Sequence, residues 1–374
     1  MAAACSSHFV SFFLAYETIS ISLVGLIGYT RQHKQSSEAA IKYLILSATA
    51  SAFLVLGTAF IYFELGTIEF ARLATMLKTC GFSKLIYFGI ALLLVGFGYK
   101  LALVPFHTWS PDVYQGAPAP VTALIASGSK AAILALFLRL VSTSGLQANE
   151  IVYTLLSTLA AVTMFGGNFL ALMQDNIKRL LAYSSVAQIG YLLIPLLAGG
   201  KSGAASIAFY LVSYAATTIA AFGVVSVVSL AKQTGDVEKI DDYHGLAISH
   251  PVLAAVLSAA LLSLLGMPLT SGFFGKFYIF SAAAQSGLWS LLIIGLINSG
   301  ISAFYYLRVI FAIYSRPAAD SGHIPKANTG QLLSTPPASA ICLAVSIATV
   351  VFLGIYPTPL LHLAQIATAY LGIH

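Results

Sequence analysis

Apolar runs of about twenty residues recur from residue 9 to residue 356, separated by short polar, glycine- or proline-bearing stretches. A helix of about 20 residues crosses a bilayer's hydrocarbon core. The pattern therefore predicts about ten membrane helices, over 9–29, 39–63, 85–105, 119–140, 151–173, 178–198, 205–230, 251–285, 289–314 and 337–356. The stretch on to His374 is expected to lie on the membrane surface or to extend the last helix. The run 251–285 is too long for one simple span, and GMPLTSG at 266–272 interrupts it, which predicts a broken helix. The run 85–105 is interrupted in the same manner, by Gly96-Phe-Gly-Tyr-Lys100 and then Pro105. Paired interruptions in two halves point to inverted repeats with an ion site at each break. Irregular backbone at membrane depth is tolerated only where protein buries it or where it lines water. The expected architecture is an all-α polytopic membrane protein, one transmembrane domain over 1–374, with two broken helices.

Composition agrees. Of 374 residues, 59% are hydrophobic and 8% charged, against roughly 25% charged in soluble domains. The net charge of +6 is modest, and its cations sit mostly in loops, so a nucleic-acid partner is not expected. Cys5, Cys80 and Cys342 lie far apart, without CxxC or CxxCH spacing, so no iron–sulfur cluster, haem or structural metal is expected here. Electrons of any linked redox reaction would travel elsewhere. Met1–His8 lacks the basic start of a signal peptide. Arg31, Lys34, Lys178, Arg179, Lys232, Lys239, Arg316 and Lys326 flank the odd-numbered loops. They outnumber Arg72, Lys78, Lys84, Arg139 and Lys201 on the even-numbered ones. The positive-inside rule then puts the odd loops in the cytoplasm and both termini opposite.

The informative residues are charges inside apolar runs. An ionisable group at mid-membrane costs roughly 2.5–3.5 kcal/mol on insertion scales, so each needs a partner, water or a task. Glu17 lies midway along the first run, Lys130 midway along the fourth, and Lys276 just past the 266–272 break. Lys100 follows the glycines of the other break, and Lys42 lies about one turn into the second run. Two readings stay open for this set: static ion pairs that fix packing, or a series of proton-exchanging sites. Lysine exchanges a proton where burial and a movable carboxylate act against each other; arginine keeps its charge. Lys42 is either a snorkelling cation or a member of the series. His107 is either a proton carrier near the membrane surface or a hydrogen-bonded loop residue. Lys178 and Arg179 read as topology anchors. Asp112 and the prolines of 110–120 read as structural, and Asp236, Glu238, Asp241 and Asp242 as solvated loop acids.

These residues carry a resemblance. YKLALVPFHTWSPDVYQGAPAPV at 99–121, GSKAA at 128–132, NIKRLLAYSS at 176–185, GFFGKFY at 272–278 and YYLRV at 305–309 resemble the antiporter-like membrane subunits of respiratory complex I, of the subunit N type. The likeness runs from the first helix to the C-terminus. It implies a non-redox subunit that moves protons across a bacterial inner membrane. Oxidation of NADH and reduction of quinone, with flavin and iron–sulfur clusters, would take place in partner subunits. By resemblance, Glu17 pairs with Lys100, Lys130 is the central site, Lys276 leads to the far side, and Lys42 lies near the glutamate. Two departures accompany it. The chain lacks what corresponds to the family's first three helices and nearly all of the fourth, which would leave the first repeat truncated. Gln188 stands where relatives often have histidine. A cation/proton antiporter subunit and a purely structural membrane subunit are the alternatives.

Overall fold

The computed structural model describes residues 2–30, 33–230, 236–316 and 336–370. Its helices, in chain order, are α1 (Phe9–Ile27), α2 (Lys34–Leu65), α3 (Phe70–Cys80), α4 (Lys84–Leu101) and α5 (Trp109–Gly116). A continuous helix α6 follows over 119–144, then α7 (Glu150–Leu172), α8 (Ile177–Ala198) and α9 (Gly200–Leu230). The last five are α10 (Pro251–Leu265), α11 (Ser271–Gln285), α12 (Trp289–Tyr314), α13 (Pro337–Ile355) and α14 (Thr358–Tyr370). Among the described residues, nine helices are long and apolar enough to cross a membrane, and α10 with α11 make one further, broken crossing. Side-chain caps set several starts. Asn176 accepts from the amides of Lys178 and Arg179, Asn149 from Ile151 and Val152, and Ser83 from Ile86. The most enclosed span is α8, with α7, α9, α11 and α12 packed around it.

Several sequence expectations are corrected. The helix α4 runs unbroken through Gly96 and Gly98 to Leu101, so Lys100 precedes the break and does not follow it. Those glycines serve close packing: a Cβ on Gly96 would sit 2.8 Å from Leu54, and one on Gly98 would sit 2.6 Å from the Phe106 ring. The break itself is Ala102–Thr108, with Ala102 left-handed (φ 59°) and a cis Val104–Pro105 bond. Asp112 and Pro111, read as structural, lie in helix α5, the second arm of this broken span. The helix α2 starts at Lys34, which places Lys42 two turns in. The amphipathic α3, with Phe70, Leu73 and Leu77 inward, lies in what the sequence left as loop. The final stretch does not extend α13: that helix ends at Ile355, and α14 packs along α9.

The polar connections collect at two ends. At one end Lys42 meets Asp112, Arg179 meets Asp112, Gln115 meets Glu238 and Arg308 meets Asp175. At the other, Arg139 meets the Ser6 carbonyl, Asn149 meets Tyr87, and Ser286 meets the Ala198 carbonyl. The odd-numbered connections share the first end, as an up-and-down bundle requires. Arg31, Lys232 and Lys326, part of the charge asymmetry, lie outside the described residues.

Candidate proton-carrying axis

Four lysines are buried among the described residues; Lys178 lies at the odd-loop end, and the other three, Lys100, Lys130 and Lys276, are 2%, 1% and 4% exposed. No ion pair within 4 Å joins any of these last three to a carboxylate among the described residues. Their charge is met instead by hydroxyls, carbonyls and aromatic faces.

Lys100 ends α4 beside the break. Its Nζ donates to Ser20 Oγ and to Tyr43 Oη, each at 2.7 Å. The rings of Tyr16 and Tyr43 flank it at 4.7 and 4.9 Å, with Tyr99 at 6.0 Å. Glu17, one turn before Ser20 on α1, is near but not bonded: its Oε1 is buried without a hydrogen-bond partner. The carbonyls freed where α4 stops are taken up locally. Gly98 O accepts from Leu103 N at 2.8 Å, and Tyr99 O from the Trp109 indole at 2.7 Å. His107 lies within the break, with Nδ1 buried and unpartnered and its ring 6.2 Å from Tyr183.

Lys130 follows a single widened turn, Ile125–Ser129, in the middle of α6. Its Nζ has one hydrogen bond, to Ser185 Oγ at 2.6 Å, and the Tyr114 ring lies 5.7 Å away. Tyr114 Oη is in turn 3.3 Å from Ser185 Oγ, which ties α5 to α8 at this point. The neighbouring Ser184 hydroxyl is bonded to Tyr306 Oη. Tyr306 Oη also accepts from Gln188 Nε2 at 3.3 Å. Lys130 and the second break are thus both bonded to α8, the first at Ser185 and the second at Gln188.

At that break α10 ends with free carbonyls, and polar side chains meet them. Gln188 Nε2 donates to Leu264 O at 3.1 Å, and Lys276 Nζ donates to Leu265 O at 2.9 Å. Lys276 also reaches Ser299 Oγ at 3.2 Å and faces the Tyr191 ring at 5.1 Å. The partial negative charge of a helix C-terminus suits an ammonium there. Gln188 Oε1 accepts from Tyr210, so the amide is saturated on both sides. Beyond it, Asn168 Nδ2 donates to Asn298 Oδ1 at 3.0 Å, and Tyr305 Oη to Asn168 Oδ1 at 2.9 Å.

The odd-loop end holds a network the sequence did not reveal. Lys42 Nζ pairs with Glu38 at 2.8 Å and with Asp112 at 2.9 Å, and not with Glu17. Arg179 holds the other Asp112 oxygen at 2.8 Å. Both Asp112 oxygens are thus held by cations. A polar pocket of about 230 Å³ opens here between Glu38, Lys42, Asp112, Gln115 and Arg179. Lys178 is more than an anchor: its Nζ is buried, donating to Gln115 O, Ala117 O and Asp236 Oδ2 at 2.8, 2.7 and 2.6 Å. Asp236 and Glu238 are not simply solvated. Glu238 accepts from Gln115 at 2.7 Å and from Asn176 at 2.6 Å. The sequence found the lysines because charge is conspicuous in apolar runs. Ser20, Tyr43, Ser185 and Tyr306 carried no such contrast, although Ser184 and Ser185 stand within a quoted motif.

Comparison with known proteins follows from this geometry. The NADH:quinone oxidoreductase/Mrp antiporter transmembrane family model matches residues 6–302. NADH-quinone oxidoreductase subunit N of Ectopseudomonas mendocina (strain ymp) is 42% identical over 362 residues, which is 97% of this chain and 72% of the relative. That of Acinetobacter baumannii (strain AB0057) is 40% identical over 371 residues, 99% of this chain and 73% of the relative. A chain of respiratory complex I from Thermus thermophilus superposes with a TM-score of 0.80 at 34% identity, covering 96% of this chain and 76% of that one. A buried lysine series, two broken helices and these relatives lead to one assignment: the chain belongs to the NADH:quinone oxidoreductase/Mrp antiporter family of membrane proteins, on its subunit N branch.

Proposed function

We propose that this chain is a proton-translocating, non-redox membrane subunit of an NADH:quinone oxidoreductase in a bacterial plasma membrane. The supporting observation is the way the ammoniums of Lys100, Lys130 and Lys276 are held. Static ion pairs would place carboxylates against them; here hydroxyls and carbonyls do so, and these release a cation far more readily than a carboxylate does. Protons come in through the polar pocket at the Asp112 end. They load Lys100 under the influence of Glu17, pass to Lys130 and reach Lys276 by way of Ser185, Ser184 and Tyr306. Lys276 hands them to the opposite side through the second break. His107, whose Nδ1 is buried without a partner, is a carrier for the first transfer. Lys42 organises the inlet through Asp112. Other membrane subunits continue the axis, and NADH, flavin, iron–sulfur clusters and quinone act in partner subunits.

The test is Lys130→Ala in the assembled complex in inverted membrane vesicles. NADH-driven proton uptake is expected to fall by at least tenfold, with quinone reduction falling alongside it and subunit content unchanged. Undiminished uptake would refute the reading. The runner-up, a subunit of a cation/proton antiporter, predicts cation-driven proton exchange that needs no NADH, and the same vesicles measure it.

A further inference from the structure

The first broken span is gripped by two neighbouring residues of α2. Lys42 holds Asp112 on α5, and Tyr43 holds Lys100 on α4. Tyr43 is fully buried, and its ring lies 5.3 Å from Trp109 on α5 and 6.0 Å from Tyr99 on α4. Tyr99 Oη donates back to Tyr43 O at 3.0 Å, and the Trp109 indole donates to Tyr99 O at 2.7 Å. One aromatic box therefore spans both arms of the break, and the Tyr43 hydroxyl is the part of it that touches Lys100. Across the ammonium, Ser20 supplies the other oxygen. Glu17, on the same helix as Ser20, is left with a buried oxygen that nothing bonds.

We propose that Tyr43 is a positioning residue that keeps Lys100 on hydroxyls and off Glu17, so that the partner of Lys100 follows the placement of α5. An ammonium beside both a phenol and a free carboxylate goes to the carboxylate unless geometry prevents it, because charge-assisted bonds between opposite charges are the stronger. Here the box prevents it. Displacing α5 moves Trp109 and Asp112 together, loosens Tyr43 through both its ring and its neighbour Lys42, and frees Lys100 to swing to Glu17. The inference rests on the proton-carrying role proposed for Lys100.

The experiment is a cycle of Tyr43→Phe, Glu17→Gln and the double variant in the assembled complex, with Lys100→Ala beside them. Phenylalanine keeps the ring and its packing and removes only the hydroxyl. NADH-driven proton uptake in Tyr43→Phe is expected to fall about tenfold, the scale of one lost hydrogen bond to a charged group. The double variant is expected to pump no worse than Tyr43→Phe, because the carboxylate that captures Lys100 is gone. Parental pumping by Tyr43→Phe, or a double variant that falls by the product of the single losses, overturns the proposal. Should Tyr43→Phe fail to assemble, Ser20→Ala removes the opposite hydroxyl and enters the same cycle. Lys100→Ala separates the two readings. If it pumps normally, the proton-carrying role itself fails. If it is dead while Tyr43→Phe is normal, only the positioning role fails.

Discussion

An ammonium and a guanidinium bring the same charge into a helix bundle, but only the ammonium gives its proton up within reach of physiological pH. Lys276→Arg keeps the charge beside Leu265 O, so a merely charge-balancing role would tolerate it. We expect both Lys276→Arg and Lys276→Ala to lose at least tenfold in NADH-driven proton uptake. The stem of Lys276 lies against Gly266, where a Cβ would come within 3.0 Å of Cδ, so room for arginine is small. Subunit content on native gels must therefore be read beside pumping. Tyr306→Phe removes the hydroxyl shared by Ser184 and Gln188. It is expected to lower pumping about tenfold with normal assembly, and parental pumping would show that the path runs elsewhere. At this scale the sequence was half legible. Lysines stand out in apolar runs, whereas Ser20, Tyr43 and Ser185 are ordinary residues of membrane helices until tertiary contact gives them a cation. Glu17 was found, but its bond to Lys100 was not there to find.

Helices were legible wherever hydrophobic length alone decides them, and ambiguous wherever glycine and proline do. The interruption at 266–272 was read correctly, since Gly266 (φ 91°) and Leu269 (φ 69°) leave the helical region. Gly96 and Gly98 looked the same in sequence yet sit in unbroken helix, because close approach and chain breaking ask for the same residue. Helix α5 was hidden because its eight residues are too short and too polar to register as a span. Gly57 offers a test of packing between elements. A Cβ there would meet Gly89 O at 2.7 Å and Leu93 N at 2.9 Å, both backbone, so α2 and α4 would have to separate. Gly57→Ala should destabilise the bundle by about 1–3 kcal/mol, seen as a lower melting temperature of the purified complex. Gly25→Ala, with nothing within 4 Å, is the matched control and should leave it unchanged.

Across the described residues, most ion pairs lie at the odd-loop end, and the opposite end holds Arg72–Glu69, Arg139 and largely neutral bonds. The alternation of loop charge was visible in the sequence, but the network was not, because Asp112, Lys178, Asp236 and Glu238 lie far apart along the chain. Asp112→Asn removes the charge that Lys42 and Arg179 share. Thermal melts of the complex at neutral pH should show this variant less stable than the parent. Parental stability would contradict the assignment of Lys42 and Arg179 as the groups that hold Asp112.

The sparse coordination of Lys130 has a consequence for the resting membrane. Lys100 and Lys276 each have two hydrogen-bond acceptors, and Lys130 has one. In the proposed series, charge is expected to dwell at the two ends and to cross the centre only in transit, which makes the middle lysine a summit between two basins. Back-flow would have to climb that same summit. On this reading an idle complex under a full proton-motive force is expected to leak little through this chain, gated by a shortage of oxygen atoms around one nitrogen.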